Sequence, residues 1–78
     1  MVTPQLPRPT DAYLANSEWL YQHIFELTKQ YPNQWVAAHA GEVIAAGPGL
    51  SAVSVAAESR APRLDIAYHF MDDGSLIF

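Results

Sequence analysis

Three histidines are the residues of this 78-residue chain with the most versatile chemistry. His39 and His69 become neighbours if the strands that carry them pair, and Glu42 or Asp65 could then complete a set of metal ligands. A zinc site needs three or four converging ligands with supporting hydrogen bonds. The spacing does not enforce such convergence, and His23 lies at the margin of a helix. We therefore predict no metal and no cofactor, and place the histidines at the surface or half-buried.

Hydroxyl and carboxylate groups give no stronger sign of catalysis. No serine lies in a G-x-S-x-G turn, and Ser17 and Ser51 are better explained as helix caps. Asp72 and Asp73 precede Gly74, a pattern typical of a turn. The serines considered as nucleophiles are Ser17, Ser51, Ser54, Ser59 and Ser75.

The loop at residues 47–51 leads into a helix, where free N–H groups could hold an anion, but it lacks the lysine and the glycine spacing of a phosphate loop. A chain of 8.6 kDa also has little volume for a small-molecule cleft. We predict that the protein is not an enzyme, has no catalytic residues and has no small-molecule substrate.

The size and composition of the chain favour association with another protein. Seventy-eight residues form one domain of marginal stability. There is no cysteine for a disulfide or a thiolate metal site. Half of the residues are hydrophobic and only 15% are charged, which is a low charge density for a small monomer. Oligomerisation is the remaining common source of stability.

The charge pattern indicates which partners to exclude. The formal net charge is −4 and the four cations are scattered, whereas nucleic-acid binding needs clustered Lys or Arg. No apolar run approaches the ~18–20 residues that cross a membrane. The N-terminus lacks the basic-then-apolar pattern of a signal peptide, so we predict a cytoplasmic protein.

The first half of the chain predicts an arm and then a helix. Residues 1–15, rich in proline at their start, are predicted to be a flexible arm, and residues 16–78 a single small domain. The helix is predicted from Asn16 or Ser17 to Gln30, because these residues can cap it and Pro32 stops it. Its predicted core stripe consists of Leu20, Ile24, Leu27 and Tyr31.

Tyr21 and Phe25 lie about 100° away from this stripe, on a second helix face. One interpretation is that the N-terminal arm covers them through Leu6, Tyr13 and Leu14. A second is that they form a surface for a partner, and a third is simple exposure.

Two strands follow, at residues 34–39 and 42–46, joined through Gly41. A two-residue Ala40-Gly41 loop would pair His39 with Glu42, whereas a three-residue loop would pair Ala38 with Glu42. The longer loop is favoured, because alanine is a poor first residue for the tight primed turns. Both faces of this hairpin carry apolar side chains in either register, although a sheet covered by helices on one side should have one polar face.

The second half predicts a helix from Leu50 or Ser51 to about Arg60, a strand at residues 64–71, a turn and a fourth strand at residues 75–78. The strand at residues 64–71 has an alternating pattern, with Leu64, Ile66, Tyr68 and Phe70 on one side and Asp65, Ala67 and His69 on the other. The predicted fold is α+β, with element order α-β-β-α-β-β. Its antiparallel sheet has strand order 2-1-3-4, with two helices on one face.

The segments Glu18-Trp19-Leu20, Tyr31-Pro32-Asn33-Gln34-Trp35-Val36-Ala37 and Gly41-Glu42-Val43-Ile44-Ala45, followed by Gly47 and Leu50, resemble a known family. They are similar to the small prokaryotic proteins grouped as domain of unknown function 5678, over roughly residues 17–70. The resemblance implies a compact α/β module and no assigned activity.

We therefore predict a small protein-interaction module that self-associates, as a homodimer, through its sheet face or through the edge at residues 75–78. The alternative is an adaptor or regulator, antitoxin-like or an enzyme modulator, that binds a larger protein. A small metal-binding or hydrolytic protein is the third possibility. The predicted interface residues are Trp35, Ile44, Tyr21, Phe25, Leu76 and Phe78.

Overall fold

The computed structural model of this chain describes residues 9–74. In order, these form helix α1 (Asp11–Gln22), helix α2 (Ile24–Gln30), strand β1 (Gln34–His39), strand β2 (Glu42–Gly47), helix α3 (Leu50–Glu58), a short 3-10 turn (Arg63–Asp65) and strand β3 (Ala67–Met71). The α+β class is confirmed.

Helix α1 begins at Asp11, five residues before the predicted start. Thr10 is its N-cap: the Thr10 hydroxyl accepts a hydrogen bond from the Tyr13 amide at 2.9 Å and lies 2.8 Å from Asp65 Oδ1, to which it donates. Asp11 adds a negative charge in the first turn, where the helix dipole favours it. The predicted caps at Asn16 and Ser17 were wrong, and so was the assignment of residues 11–15 to an arm.

The helical segment predicted to reach Gln30 is interrupted once. His23 separates α1 from α2, with φ −111° and ψ 14°. Backbone hydrogen bonds continue across it, since the His23 amide donates to Trp19 and the His23 carbonyl accepts from Leu27. The predicted end at Gln30, just before Tyr31 and Pro32, is confirmed.

Asn16 is the only buried polar residue among those that the structure describes, with 5% of its surface exposed. Its amide Nδ2 donates to the Asp65 carbonyl at 2.8 Å, and its Oδ1 accepts from the Ala40 amide at 3.0 Å. One side chain in the middle of α1 therefore joins the hairpin loop to the segment before β3.

The hairpin loop has two residues, so the predicted preference for the longer loop was wrong. His39 pairs with Glu42, and Ala40 and Gly41 have φ values of 53° and 75°, as in a type I′ turn. The left-handed conformation is unfavourable for alanine. The Asn16 hydrogen bond to the Ala40 amide offsets this cost, and it comes from a residue 24 positions away.

A β-bulge shapes the second strand. Ala38 pairs with Val43 and Ala37 pairs with Ala45, which leaves Ile44 as the extra residue of β2. Val43 therefore packs with the core of one face, while Ile44 and Ala45 both pack on the other.

Strand β3 pairs antiparallel with β1, from Gln34 opposite Met71 to Ala38 opposite Ala67, and the sheet order is β2-β1-β3. The pairing of this strand beside β1 is confirmed. Its predicted start at Leu64 was wrong, because residues 63–65 form a 3-10 turn and Leu64 is 71% exposed. The predicted fourth strand, at residues 75–78, lies outside the described residues.

The helices cover both faces of the sheet, so the prediction of two helices on one face was wrong. Val36 and Ala38 of β1 pack with Leu20 and Leu27 on one face, whereas Ala37 packs with α3 on the other. The α3 face also contains Ile44, Val53, Ala57, Ala61 and Ile66. Alternating residues of β1 are thus fully buried on both sides, and this explains the hairpin's lack of a polar face.

Within the described part of the chain, none of the helices has the length and apolar character needed to traverse a lipid bilayer.

Candidate functional site

The histidines considered as metal ligands do not converge. His69 is opposite Val36, on the α1 and α2 face, whereas the period of two along β1 directs His39 to the α3 face. His23 stacks on Trp19, with ring centroids 4.7 Å apart. Among residues 9–74, no group of three or more histidine, aspartate and glutamate side chains could hold a metal ion.

The serine side chains among the described residues are occupied locally or lie on helix surfaces, and Ser75 lies outside the described residues. Ser54 and Ser59 donate to the carbonyls of Ser51 and Ala56, at 2.9 and 2.6 Å. Ser17 lies in the middle of α1. The predicted cap at Ser51 was wrong, because Gly49 is the N-cap of α3 and provides no side-chain hydrogen bond.

Two aromatic residues are the most exposed large hydrophobic side chains of the α1 and α2 helices. Tyr21 is 70% exposed and Phe25 is 83% exposed. Because Leu20 and Leu27 turn toward the sheet and are nearly fully buried, the helical period directs Tyr21 and Phe25 outward. The Tyr21 ring lies 6.2 Å from the ring of His69 on β3, which places Tyr21 beside the sheet face that α1 and α2 cover.

Leu14 belongs to the same surface. Leu14 is 53% exposed, and at about 100° per residue it falls within about 40° of Tyr21 and Phe25. Glu18 is also exposed and falls within about 60° of the same two residues. We call Leu14, Glu18, Tyr21 and Phe25 the outer stripe. The interpretation that the arm covers Tyr21 and Phe25 is not supported by its described residues, since Tyr13 packs against the core and Leu14 is itself largely exposed. Leu6, the third residue of that interpretation, lies outside the described residues.

A groove of about 690 Å³ adjoins Phe25. Its α2 wall includes Thr28, whose hydroxyl donates to the Ile24 carbonyl at 2.7 Å and approaches the Met71 sulfur at 3.8 Å. The residues that line the groove are Ile24, Phe25, Thr28, Lys29, Pro32, Asp72 and Asp73.

The rim of this groove is mainly acidic. Asp72 and Asp73 follow β3 and line the groove, while Lys29 is the one cation among the lining residues. The turn predicted here is confirmed, since Asp72 Oδ1 accepts from the Gly74 amide at 2.8 Å and Gly74 has a φ of 86°. Sequence reasoning assigned the two aspartates only to a turn. No local pattern connects them to Phe25, which lies more than 40 positions earlier.

The other predicted interface residues lie elsewhere. Ile44 is 9% exposed and packs under α3, where no partner can reach it in this structure. Trp35 is half-buried at the border of the same core and meets Phe70 edge to face, with centroids 5.6 Å apart. Leu76 and Phe78 lie outside the described residues. Of the six residues, only Tyr21 and Phe25 are brought together on an open surface of the described chain.

Tyr68 carries a buried hydroxyl on the α3 face that makes no hydrogen bond with the described residues. Burial raises its pKa above the ordinary value of 10.0, the Glu58 carboxylate adds to the rise, and Arg63 opposes it. The folded state therefore holds the phenolic proton more tightly than the unfolded state. The stability that comes from holding this proton is fully present below about pH 10 and is lost as the pH rises through the folded-state pKa of Tyr68.

Replacing Tyr68 by phenylalanine is expected to raise the free energy of unfolding at pH 7 by about 1 kcal/mol, because an unpaired buried hydroxyl is removed. The variant should also lose less stability than the wild type between about pH 9 and pH 11, since the titrating group is gone. Urea unfolding at these pH values measures both effects. Parallel decline of the two proteins at alkaline pH would contradict the assignment.

Comparison with known proteins gives one match. The model of a family of unknown function, DUF5678, matches residues 26–68, more than half of the chain. The chain belongs to this family. No curated protein and no solved structure matches it.

DUF5678 membership confirms the resemblance drawn from the sequence, over a shorter segment than expected. The matched segment contains the hairpin, α3 and most of α2, and it begins one residue after Phe25. The outer stripe, Asp72 and Asp73 therefore lie outside it. Family membership thus supports the core of the fold and assigns no role to the exposed surface.

Proposed function

We propose that this DUF5678 protein is a small adaptor or regulator that binds a larger protein through the surface of Tyr21 and Phe25. The observation that carries the proposal is their exposure, 70% and 83%, on helices whose Leu20 and Leu27 pack in the core. Single exposed apolar residues are ordinary on protein surfaces. Adjacent exposed aromatic side chains are typical of interaction sites, where tyrosine and other aromatic residues are enriched.

The groove beside Phe25 supports the same conclusion. Protein interfaces concentrate their affinity in a few anchor side chains that fill pockets on the partner surface. Phe25 offers such an anchor, and the groove can receive one from the partner. This surface is formed by α1, α2 and the end of β3, which the hydrophobic core holds in place.

Site-specific photo-crosslinking tests the proposal. A benzophenone amino acid placed at position 25 of the full chain is expected to give a covalent adduct with another protein in native cell extract. Val55 is the matched control position, because it is 69% exposed but lies on α3, over the opposite sheet face. Adducts of equal yield at the two positions, or none at position 25, would refute the proposed surface.

Self-association is a second candidate, favoured by the half-buried Trp35–Phe70 pair and by the two outer strands of the described sheet. The second sheet face does not favour it, since α3 covers Ala37 and Ile44. A homodimer would use the strand edges or the Trp35 end of the α3 face. Light scattering at micromolar concentration tests this candidate, and a monomer would end it.

A further inference from the structure

We propose that the occupant of the outer stripe and its groove is a basic amphipathic helix of another protein, an inference that rests on the proposed function. Leu14 and Phe25 are eleven positions apart, or about 16 Å of helix. That length matches about three turns of a partner helix laid along the stripe. Helices pack along one another through rows of side chains spaced by three or four residues, and the stripe presents Leu14, Tyr21 and Phe25 at spacings of seven and four.

The charges around the outer stripe determine whether a basic or an acidic partner fits it. Glu18 lies within the stripe, Glu26 is exposed beside Phe25, and Asp72 and Asp73 line the groove. Lys29 is the single cation on this surface among the described residues. The other two described cations, Arg60 and Arg63, lie near α3: Arg60 donates to the Ile44 carbonyl at 3.4 Å and Arg63 pairs with Glu58 at 3.5 Å. Lysine or arginine side chains flanking the partner's apolar anchors would therefore meet opposite charges.

The same charges disfavour a second copy of this chain as the occupant. Each copy has a formal net charge of −4. Two outer stripes facing each other would bring Glu18 and Asp72 of both copies to one interface, where Lys29 is the one cation that the described part of this surface offers. Like charges placed together at an interface repel each other and suppress that pairing.

A pair of synthetic peptides tests the inference. The basic probe is an amphipathic helix of leucine and lysine, about four turns long, and the matched probe has glutamate in place of every lysine. Titration of isotope-labelled full-length protein at low salt is followed by NMR and fluorescence anisotropy. The basic peptide is expected to bind and to shift the resonances of Tyr21, Phe25, Thr28 and Asp72. The acidic peptide is expected to bind at least about tenfold more weakly, and added salt should weaken binding of the basic peptide.

Three variants define where the peptide binds. Phe25→Ser is expected to weaken binding of the basic peptide at least about tenfold, as loss of an interface anchor does. Asp72→Asn combined with Asp73→Asn should weaken it several-fold while keeping the oxygen that accepts from the Gly74 amide. Val55→Ser, at the matched exposed position on α3, should leave it unchanged.

The outcomes separate this inference from the proposed function. Equal binding of both peptides, unchanged binding to Phe25→Ser, or no binding of the basic peptide would overturn the basic helix as the occupant. A dimer in light scattering that Phe25→Ser dissociates would overturn it in favour of a second copy. Each of these results leaves the crosslink at position 25 as the separate test of the proposed function. An adduct there whose attached peptide is acidic would refute the inference and retain the surface.

Discussion

Replacing Asn16 by alanine is expected to lower the free energy of unfolding by about 2–4 kcal/mol. The change removes the hydrogen bonds to the Asp65 carbonyl and the Ala40 amide, and leaves both backbone groups without these partners. It also withdraws the contact that offsets the left-handed conformation of Ala40. For a domain of this size each kcal/mol corresponds to a fall of about 4–8 °C in Tm. Urea unfolding and thermal melting provide the measurement.

Ser17→Ala is the matched control, because Ser17 is the next residue of α1 and makes no side-chain hydrogen bond to the described residues. Its effect is expected to stay within about 0.5 kcal/mol. If Ser17 were a helix cap, as its type and position predict, the same change would cost about 1 kcal/mol. If Ser17→Ala lowered the free energy of unfolding as much as Asn16→Ala, the central role assigned to Asn16 would be contradicted.

Replacing Ile44 by aspartate is expected to cost at least about 4 kcal/mol, which approaches the whole stability of a typical small domain. Ile44 is the extra residue of the β2 bulge, and its side chain packs in the core under α3. A carboxylate there would lack both water and a cation. Ile44→Ala is the milder variant, with an expected cost of about 2–4 kcal/mol from lost burial and the cavity left behind. Circular dichroism and denaturant titration measure both.

The control for this prediction is Ala46→Asp, two residues along the same strand at an exposed position. Its cost is expected to be at most about 1 kcal/mol, the span of strand propensities. The two hypotheses for the sheet predict opposite results. If Ile44 were an interface residue on an open face, Ile44→Asp would give a folded, more soluble monomer. If α3 covers it, the variant unfolds.

The covered sheet also changes the basis of the functional proposal. An apolar hairpin without a polar face was one reason to expect a dimer, and α3 explains that hairpin within one chain. Tyr21 and Phe25 are not explained in this way, because no described element packs over them. The argument for a partner therefore depends on the outer stripe rather than on the sheet.

Local patterns predicted the elements well where one strong signal decided them. Tyr31 and Pro32 set the end of α2, the Asp-Gly sequence set the turn after β3, and Leu20 and Leu27 were correctly assigned to the core. The start of α1 was missed because Thr10, Asn16 and Ser17 are all good cap residues. Only the hydrogen bonds to Tyr13 and Asp65 show that Thr10 is the cap.

The chain's own sequence thus determined its class, its helical and strand periods, its family and the placement of Tyr21 and Phe25 on a second helix face. These follow from interactions within a few residues, so a linear pattern contains them. The tertiary structure alone decided the tight hairpin loop, the bulge at Ile44, the position of α3 on the second sheet face and the groove that Phe25 and Asp72 both line. Each of these depends on contacts between distant residues, such as Asn16 with Ala40, whose energies outweigh local preferences and have no counterpart in the sequence pattern.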